Sequence, residues 1–472
     1  MNSSANASKH RALVAKAITL GLLSITPVCL QAQTDSPPNL ELAISGQFLN
    51  KLTTLPINTT QQVNTSIGGA DISTLINAKG NALVNPWRTG KSGLGFCLNA
   101  NTIIHSDIDA QIAGPARVFV RTDAVALTHT SSNKCFFLDD SGLKSYGAST
   151  NAATKLTVNN LDVWAEGLFR RLKTRIGYRK AQEELANQIP KNEREISERA
   201  VTTINDLLDS KTVGMVQKVT TMWKDWIYKA TTGSGLLPHA MKFYSTNQTA
   251  YVYVPSNDQH QGLQLNPSGN QAAAIRIRPD YVKDLTKVYM AGLTLSDMEI
   301  LTALVKAHGE YEIPEDLIGS PDEVVMRFSA EKPVEVTFQD DVISLTFNFD
   351  QIETNGKTYK NIFVTVPVTL KADPTNGLTI VIPDALEAKE QASGAIHAEL
   401  TEYLTARWKL IATSKSFAIE PLRKKMAAWL PVRLATATAR DDQLTITAIN
   451  GEPSEFAAVT AKISKMLNLG AN

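Results

Sequence analysis

The chain has 472 residues, with 47 basic and 46 acidic side chains and a formal net charge of +1. This balance argues against the clearly basic face by which proteins bind nucleic acid. It also argues against non-specific adhesion to acidic membrane surfaces. The length and the 43% of hydrophobic residues are sufficient for two or three ordinary domain cores.

Residues 1–32 have the three parts of a cleaved secretory signal peptide. Lys9 and Arg11 give a basic start, residues 17–30 form an uncharged, mainly apolar run, and Ala32 offers a small residue at the cleavage point. The run is too short to span a bilayer as a helix, which needs about 20 residues. We therefore predict an exported protein, periplasmic or extracellular, whose mature chain has no transmembrane segment.

Three cysteines are present. Cys29 lies within the predicted signal and follows Pro27 and Val28, which fit a lipidation site poorly, so we expect it to be removed unmodified. Cys97 and Cys135 remain, each in a strand-like apolar segment, and an oxidising compartment permits a disulfide between them. The alternative is two unpaired, buried thiols.

The next part of the chain is predicted to be mostly strand, and its clearest strand is 102–112. Apolar and polar side chains alternate there, which is typical of a strand with one apolar and one solvated face. The two faces carry Ile104, Ile108, Ala110 and Ile112 on one side and His105, Asp107, Asp109 and Gln111 on the other.

From about residue 161 the apolar spacing changes to three and four, which indicates a helix. This first helix presents Leu161, Trp164, Leu168, Leu172 and Ile176 on one face.

We expect Pro190 to break or kink it. A second amphipathic run then extends from about 194 to 230, or about 50 Å at 1.5 Å per residue. A helix of that length needs an equally long partner, and we predict that its apolar face contacts Ile104, Ile108 and Ile112.

Residues 256–472 repeat the order of strands and helix. Strands 334–338 and 342–349 are joined by a tight acidic turn, and strands 362–370 and 378–382 by a second turn. A helix at about 386–409, a short helix at 419–430 and a last strand at 444–449 follow. We therefore predict an α+β fold with two tandem units, residues 33–255 and 256–472, each a curved antiparallel sheet covered by a long amphipathic helix.

The sequence carries no catalytic signature. It lacks a G-x-S-x-G elbow, an H-E-x-x-H motif, a P-loop and a G-x-G-x-x-G fingerprint. We predict no catalytic residue, no cofactor and no metal. The set His105, Asp107 and Asp109 could hold a divalent cation from one strand face, but a solvated strand face is the simpler interpretation.

A basic cluster lies on the first predicted helix and comprises Arg170, Arg171, Arg175, Arg179 and Lys180. Lipid headgroups or an acidic partner could contact it. A solvated helix face is the simpler interpretation.

The tryptophans of the second helical run have two interpretations. Packing in the core is the simpler one. In the other they line an apolar ligand groove between helix and sheet, and the candidate groove residues are then Ile104, Ile108, Met222, Trp223 and Trp226.

Three phrases carry a resemblance to a known family. They are Leu237-Pro238 before Ser245-Thr246, the segment 332–338 leading into an acidic hairpin, and a closing strand after Arg440-Asp441-Asp442-Gln443-Leu444. With them the chain resembles an uncharacterised family of exported bacterial proteins. Its element order is also similar to that of the tubular lipid-binding proteins, which include the bactericidal/permeability-increasing proteins. That similarity implies a curved sheet around a long helix with an apolar groove, and it implies no particular ligand residue.

We expect an exported cell-envelope protein that binds a lipid or another apolar small molecule between helix and sheet, with no nucleic-acid partner. The alternative is a non-catalytic scaffold or protein-interaction module with solid cores. A hydrolase or metalloenzyme is a third, weaker hypothesis. A continuous apolar cavity of a few hundred Å3 would favour the first.

Overall fold

The computed structural model describes the chain in segments. These are residues 38–67, 70–88, 93–114, 117–139, 141–222, 224, 241–255, 263–299, 324–373, 377–381, 383, 385–412, 417–418 and 431–466. The predicted signal peptide, Trp223, Trp226 and the predicted helix at 419–430 lie outside them, and the side chain of Met222 is not described.

The protein is α+β, with antiparallel sheets and one very long helix. Its first half contains β1 (Leu40–Ser45), α1 (Gly46–Thr53), β2 (Leu55–Ile67), β3 (Ala70–Pro86), β4 (Leu94–Gly114), β5 (Val118–Asp139), β6 (Gly142–Ser145), β7 (Ser149–Ala165), α2 (Arg170–Met222), β8 (Lys242–Ser245) and β9 (Thr249–Val254).

The second half of the chain also consists of strands and helices. It contains β10 (Gln271–Ile277), α3 (Pro279–Met290), β11 (Thr294–Ser296), β12 (Val325–Phe328), β13 (Val334–Gln339), β14 (Val342–Thr354), β15 (Lys357–Asp373), β16 (Gly377–Val381), β17 (Glu387–Glu390), α4 (Ala398–Ala412), β18 (Phe417–Ala418), β19 (Val432–Arg440), β20 (Gln443–Asn450) and α5 (Pro453–Met466).

The first sheet has the order β2-β3-β4-β5, and both β7 and β6 pair with the far edge of β5. Its pairing register places alternate residues of neighbouring strands on the same face. We call the face that carries Ile104 and Ile108 the apolar face. The alternation predicted for 102–112 is confirmed, since this segment lies within β4. The same face carries Ile57, Val63, Ile72, Ile76, Ala124, Ala126, Leu156 and Val158.

A disulfide joins the two central strands of this sheet. Cys97 of β4 and Cys135 of β5 are direct partners in the register, with their Cα atoms 4.0 Å apart. This close pairing lets the sulfurs bond without any backbone movement. The predicted disulfide is confirmed.

Helix α2 differs from the prediction at its start. Leu161 and Trp164 belong to β7, and the helix begins at Arg170. A β-bulge near Asp123 shifts the register of β7 by one residue. Leu161 and Trp164 both lie beyond this bulge and on opposite faces of β7, opposite Thr122 and Phe119, so apolar residues on both faces of the strand imitated the spacing of a helix.

Pro190 does not end the helix, which runs without interruption for 53 residues, or about 80 Å. The prediction of a break at this residue is wrong. A proline removes one backbone hydrogen bond. The helix continues because it is held to the sheet on both sides of the proline. Gly177 lies close to Val163 before it, and Glu193 bonds to β7 after it.

Among the described helices, none has the length and apolar character needed to cross a membrane.

The second sheet combines both halves of the chain, with the order β19-β20-β10-β1-β9-β8. The predicted boundary at residue 255 falls between β9 and β10, which flank β1 on opposite sides. The N-terminal strand is therefore the centre of a sheet whose other strands come from residues 242–254, 271–277 and 432–450. This arrangement gives the two predicted domains a shared sheet, and the division at 255/256 stays a prediction.

A buried ion pair fastens the two halves within this sheet. Glu41 of β1 and Arg276 of β10 are register partners, and their side chains are 0% and 4% exposed. The Arg276 guanidinium donates to one carboxylate oxygen of Glu41, while the other accepts from the backbone N–H groups of Gln264 at 2.9 Å and Leu265 at 2.8 Å. Burial raises the pKa of Glu41, against the opposing effect of Arg276, and lowers the pKa of Arg276.

The third sheet has the order β11-β12-β14-β15-β16-β18, with β13 on β14 and β17 on β15. Its core is solid and contains large, fully buried side chains, among them Val336, Ile352, Ile362 and Leu400. The predicted acidic turn joins β13 to β14, and both of its aspartates have the positive φ of a tight hairpin turn.

The helix predicted from about 386 starts late. Residues 387–390 form β17, and α4 begins at Ala398. Backbone pairing with β15 explains the difference, because strand β17 occupies the edge of that strand at residues 362–365. Leu400, on the predicted apolar face of the helix, is completely buried.

Candidate ligand groove

Helix α2 lies on the apolar face of the first sheet, over β7 and β5, and polar side chains hold it there. Glu193 accepts a hydrogen bond from the backbone N–H of Leu156 at 2.8 Å. Further along, Asn205 accepts from Thr150 at 2.7 Å. Because helix numbers rise as strand numbers fall, the helix runs antiparallel to β7. It supplies bonding partners to an edge strand that would otherwise be open to other chains.

One of these contacts is an ion pair between the helix and a buried lysine. Lys134 of β5 is 3% exposed, and its ammonium group lies 2.5 Å from the carboxylate of Asp209. That carboxylate also accepts from the backbone N–H of Ala148 at 3.0 Å. The hydrogen bond from Lys134 lowers the pKa of Asp209. One helical side chain therefore satisfies a buried cation and a backbone donor.

The helix was predicted to contact Ile104, Ile108 and Ile112, and this prediction is only partly right. The helix lies on the predicted face, but it packs mainly against β7, with further contacts to β5 and β6. Those strands offer unpaired backbone groups and polar side chains that the helix can satisfy. The apolar part of the face on β3 and β4 lies beside the helix instead of under it.

Under the middle of the helix, the buried side chains of β5 are small or polar. On β5 they alternate down the apolar face as Ala124, Ala126, Thr128, Thr130, Ser132 and Lys134. Within the described parts of 55–134 and 149–222, no leucine, isoleucine, valine or aromatic side chain is buried. Among the described residues, close packing of large side chains is confined to the C-terminal end of the helix, where Val216 and Val219 pack against a buried cluster that contains Phe136, Leu138 and Leu143.

Large aliphatic side chains are present on both sides of this interface, and all are partly open to solvent. Ile76, Ile104 and Ile108 lie on neighbouring strands of the apolar face and are partly buried. We call these three residues, together with Ile72, the apolar strip.

The helix carries a matching row. Ile196, Ile204 and Leu208 each precede by one residue a side chain that bonds to β5 or β7, so the row lies about 100° around the helix from those bonds. We call Leu185, Ile189, Ile196, Ile204 and Leu208 the helix row. All five are partly buried. The apolar strip and the helix row together make up the candidate groove residues.

Of the five groove residues predicted from the sequence, Ile104 and Ile108 lie on the apolar face of β4, and their role in a groove stays a prediction. Ile104 and Ile108 lie four residues apart on β4 and face the same way. Met222, Trp223 and Trp226 cannot be assigned, because their side chains lie outside the described residues. Sequence reasoning placed Ile196, Ile204 and Leu208 on the apolar face of the helix but not among the groove residues, and it missed Leu185 and Ile189, although the spacings of four, seven, eight and four in the row are a helical pattern.

The acidic face of β4 is solvated. His105 and Asp107 lie 3.1 Å apart and are both about half exposed. Asp109 instead bonds Arg121 at 2.7 Å, and this carboxylate raises the pKa of the guanidinium. Within the described part of the chain, no group of three or more His, Cys, Asp or Glu side chains is placed to hold a metal ion.

A separate, polar pocket of about 540 Å3 lies beside the second sheet. Its lining includes Arg88, Asn247, Gln248, Tyr251 and Asn266, and the described lining contains no carboxylate and no imidazole. It offers hydrogen-bonding side chains to a polar ligand.

The chain was compared with protein families, curated proteins and solved structures. No protein-family model and no curated protein matches the chain. Among solved structures, P47 from Clostridium botulinum A2 is similar over 88% of this chain and 97% of that chain, with 9% sequence identity and a TM-score of 0.25. A similarity at that level indicates nothing about function.

Proposed function

We propose that this is an exported cell-envelope protein that binds an apolar ligand, such as a lipid acyl chain, between α2 and the first sheet. One observation carries the proposal. The large aliphatic side chains of the apolar strip and of the helix row all stay partly open to solvent, while residues 124–134 of β5, under the same part of the helix, bury only small or polar side chains.

The energetic argument follows from the exposed apolar area. Apolar surface left in water costs about 25 cal/mol per Å2 relative to burial. Two rows of isoleucine and leucine that line one interface therefore offer a favourable place for a hydrocarbon chain. The buried Lys134 and its half-exposed partner Asp209 lie near one end of the helix row, where they would favour a polar headgroup over a hydrocarbon tail.

The confirmed disulfide supports export, because such bonds persist in oxidising compartments. Two tandem units of curved sheet, divided at 255/256, remain part of the proposal. The alternative, a scaffold with solid cores, is supported for the second unit by the packed core of the third sheet. In that case only the first unit would bind a ligand.

The proposal is tested by filling the groove at Ile108. Ile108→Trp should weaken the binding of a fluorescent dansyl fatty acid about tenfold, because the indole displaces about two ligand methylenes worth about 0.8 kcal/mol each. Its free energy of unfolding should change by no more than about 0.5 kcal/mol, since the side chain enters open space. Probe titration and urea unfolding measure the two quantities.

The matched control is Ile103→Trp, five residues away on the opposite face of β4, where Ile103 is 48% exposed. It should leave probe binding unchanged. A solid core predicts the reverse pattern at Ile108, namely a loss of about 1–3 kcal/mol of stability from overpacking and no specific effect on probe binding. That result would reject the ligand-binding proposal in favour of a scaffold.

A further inference from the structure

The turn between β7 and α2 displays large apolar side chains at the tip of the first sheet. Leu168 and Phe169 are 80% and 73% exposed. Gly167 and Phe169 both have positive φ, a conformation that a bulky residue such as phenylalanine rarely adopts. The backbone holds these side chains outward at some conformational cost, which an internal packing role does not explain.

The exposed apolar surface continues into the first turns of the helix. Leu172 and Ile176, which the sequence pattern predicted to share one helix face, are 59% and 53% exposed. Trp164 and Tyr178 line a neighbouring surface pocket of about 670 Å3 together with arginines. Single exposed aliphatic residues are ordinary, but a contiguous group of this kind marks an interaction surface.

Basic residues border this apolar group. Between 164 and 180 the chain has six basic side chains and one acidic side chain, whereas the formal charge of the whole protein is +1. At 100° per residue, Arg171 and Arg175 lie on one side of the Leu172 and Ile176 row, and Lys173 and Lys180 lie on the other. We call residues 164–180 the basic tip.

We propose that the basic tip docks the protein on the surface of an anionic lipid bilayer. Leu168, Phe169, Leu172 and Ile176 enter the boundary between headgroups and acyl chains, and the flanking arginines and lysines contact lipid phosphates. The inference goes beyond the proposed groove and does not depend on it.

Three features favour a bilayer over an acidic protein. The apolar group protrudes from a turn and does not line a concave site. Its apolar row has basic residues on both sides, which is the pattern of helices that lie in a membrane interface. Tryptophan and tyrosine, whose rings suit the headgroup level, are beside it. The balanced charge of the whole chain conceals this local excess, because the remaining residues are slightly acidic.

The test is co-sedimentation of the full protein with vesicles of phosphatidylcholine alone and of phosphatidylcholine with phosphatidylglycerol. The wild-type protein should bind the anionic vesicles only, and binding should fall as salt screens the charges. Arg171→Gln/Arg175→Gln should lower the partition coefficient about 10- to 30-fold, since each basic side chain near the surface contributes a roughly fivefold factor. Leu168→Ser/Phe169→Ser should lower it about tenfold or more, and neither variant should change the unfolding midpoint.

The matched control lies further along the same helix, where Leu207 and Val213 are 52% and 57% exposed. Leu207→Ser/Val213→Ser and Arg194→Gln/Arg199→Gln should bind anionic vesicles like the wild type. Failure of the wild-type protein to bind these vesicles would overturn the proposal, even if an acidic protein were retained by the tip. Equal losses in the tip and control variants would also overturn it. Because the dansyl fatty acid titration does not involve the tip, failure here is distinguishable from failure of the groove.

Discussion

Replacing Arg276 by methionine should lower the free energy of unfolding by about 3–5 kcal/mol, because it leaves the Glu41 carboxyl buried without its cation. Glu41 is 0% exposed and lies at the centre of the sheet that joins the two halves of the chain. The two backbone N–H groups that bond it remain, but they do not carry a full charge. Denaturant unfolding of the variant and the wild type measures the difference.

The deficit of this variant should grow with pH. Burial already raises the pKa of Glu41 above its ordinary value of 4.5, and Arg276 opposes that shift, so removing the arginine raises the pKa of the folded state further. Between 4.5 and the raised pKa, the folded state then binds more protons than the unfolded state, and stability falls as pH rises. Unfolding at about pH 5 and about pH 8 should show the smaller deficit at the lower pH.

Two controls distinguish the effect of the buried ion pair from the effect of removing any charged side chain. Glu41→Leu/Arg276→Met removes both charges and should recover most of the loss, since an apolar pair of similar volume replaces a buried ion pair at little cost. Lys332→Met breaks an exposed ion pair with Glu335 and should change stability by less than about 1 kcal/mol. A deficit that is equal at both pH values, or that the double variant does not relieve, would contradict this account.

Removing the disulfide should cost about 4 kcal/mol. The bond between Cys97 and Cys135 closes a loop with a sequence separation of 38. In the chain-entropy description, a loop of this size limits the unfolded ensemble by about that amount. Cys97→Ala/Cys135→Ala should therefore unfold at a lower denaturant concentration, as should the wild type in the presence of a reductant.

The reductant should have no further effect on the double variant, which serves as its own control. The bond joins strands that remain paired without it, so the far-ultraviolet circular dichroism of the folded protein should not change. A wild-type unfolding midpoint that is insensitive to reductant, with both thiols shown to be free, would argue against the stabilising role of the bond.

The local sequence pattern was sufficient to predict a structural feature wherever one physical rule determines that feature. The alternation at 102–112 identified β4 and its two faces, because a half-buried strand requires a period of two. The spacing of Cys97 and Cys135 in strand-like segments was compatible with a disulfide, and the two aspartates between β13 and β14 identified a hairpin turn. Each of these features depends on a few neighbouring residues.

Pairing over long distances could not be read from pattern. Nothing local to β1 indicates that it lies between β9 and β10, although Glu41 and Arg276 are each a charged residue within an apolar strand and would have been a reasonable pair to suspect. The polar bonding of α2 to β7 reversed the expected arrangement, in which apolar faces meet. Periodicity records which side chains are apolar, but it does not record the unpaired backbone of a strand edge.

The sequence pattern predicted some features of the candidate groove and not others. The alternation of apolar and polar residues predicted that Ile104 and Ile108 share one face of β4. Ile196 and Ile204 were predicted to be on a helix that covers Ile104 and Ile108, whereas the helix lies beside them. Leu172 and Ile176 were predicted to share one helix face, and they lie at the exposed basic tip. In each case the type of element was correct and its partner was not.

The most direct test of the central proposal is to identify what the protein carries when it is isolated from cells without detergent. Organic extraction followed by mass spectrometry should yield a defined lipid or other apolar molecule in near-equimolar amount from the wild type and from Ile103→Trp. Its amount should be much reduced in Ile108→Trp. Wild-type protein that contains no apolar molecule, and whose unfolding temperature does not rise when lipid is added, would contradict a ligand-binding role for the groove.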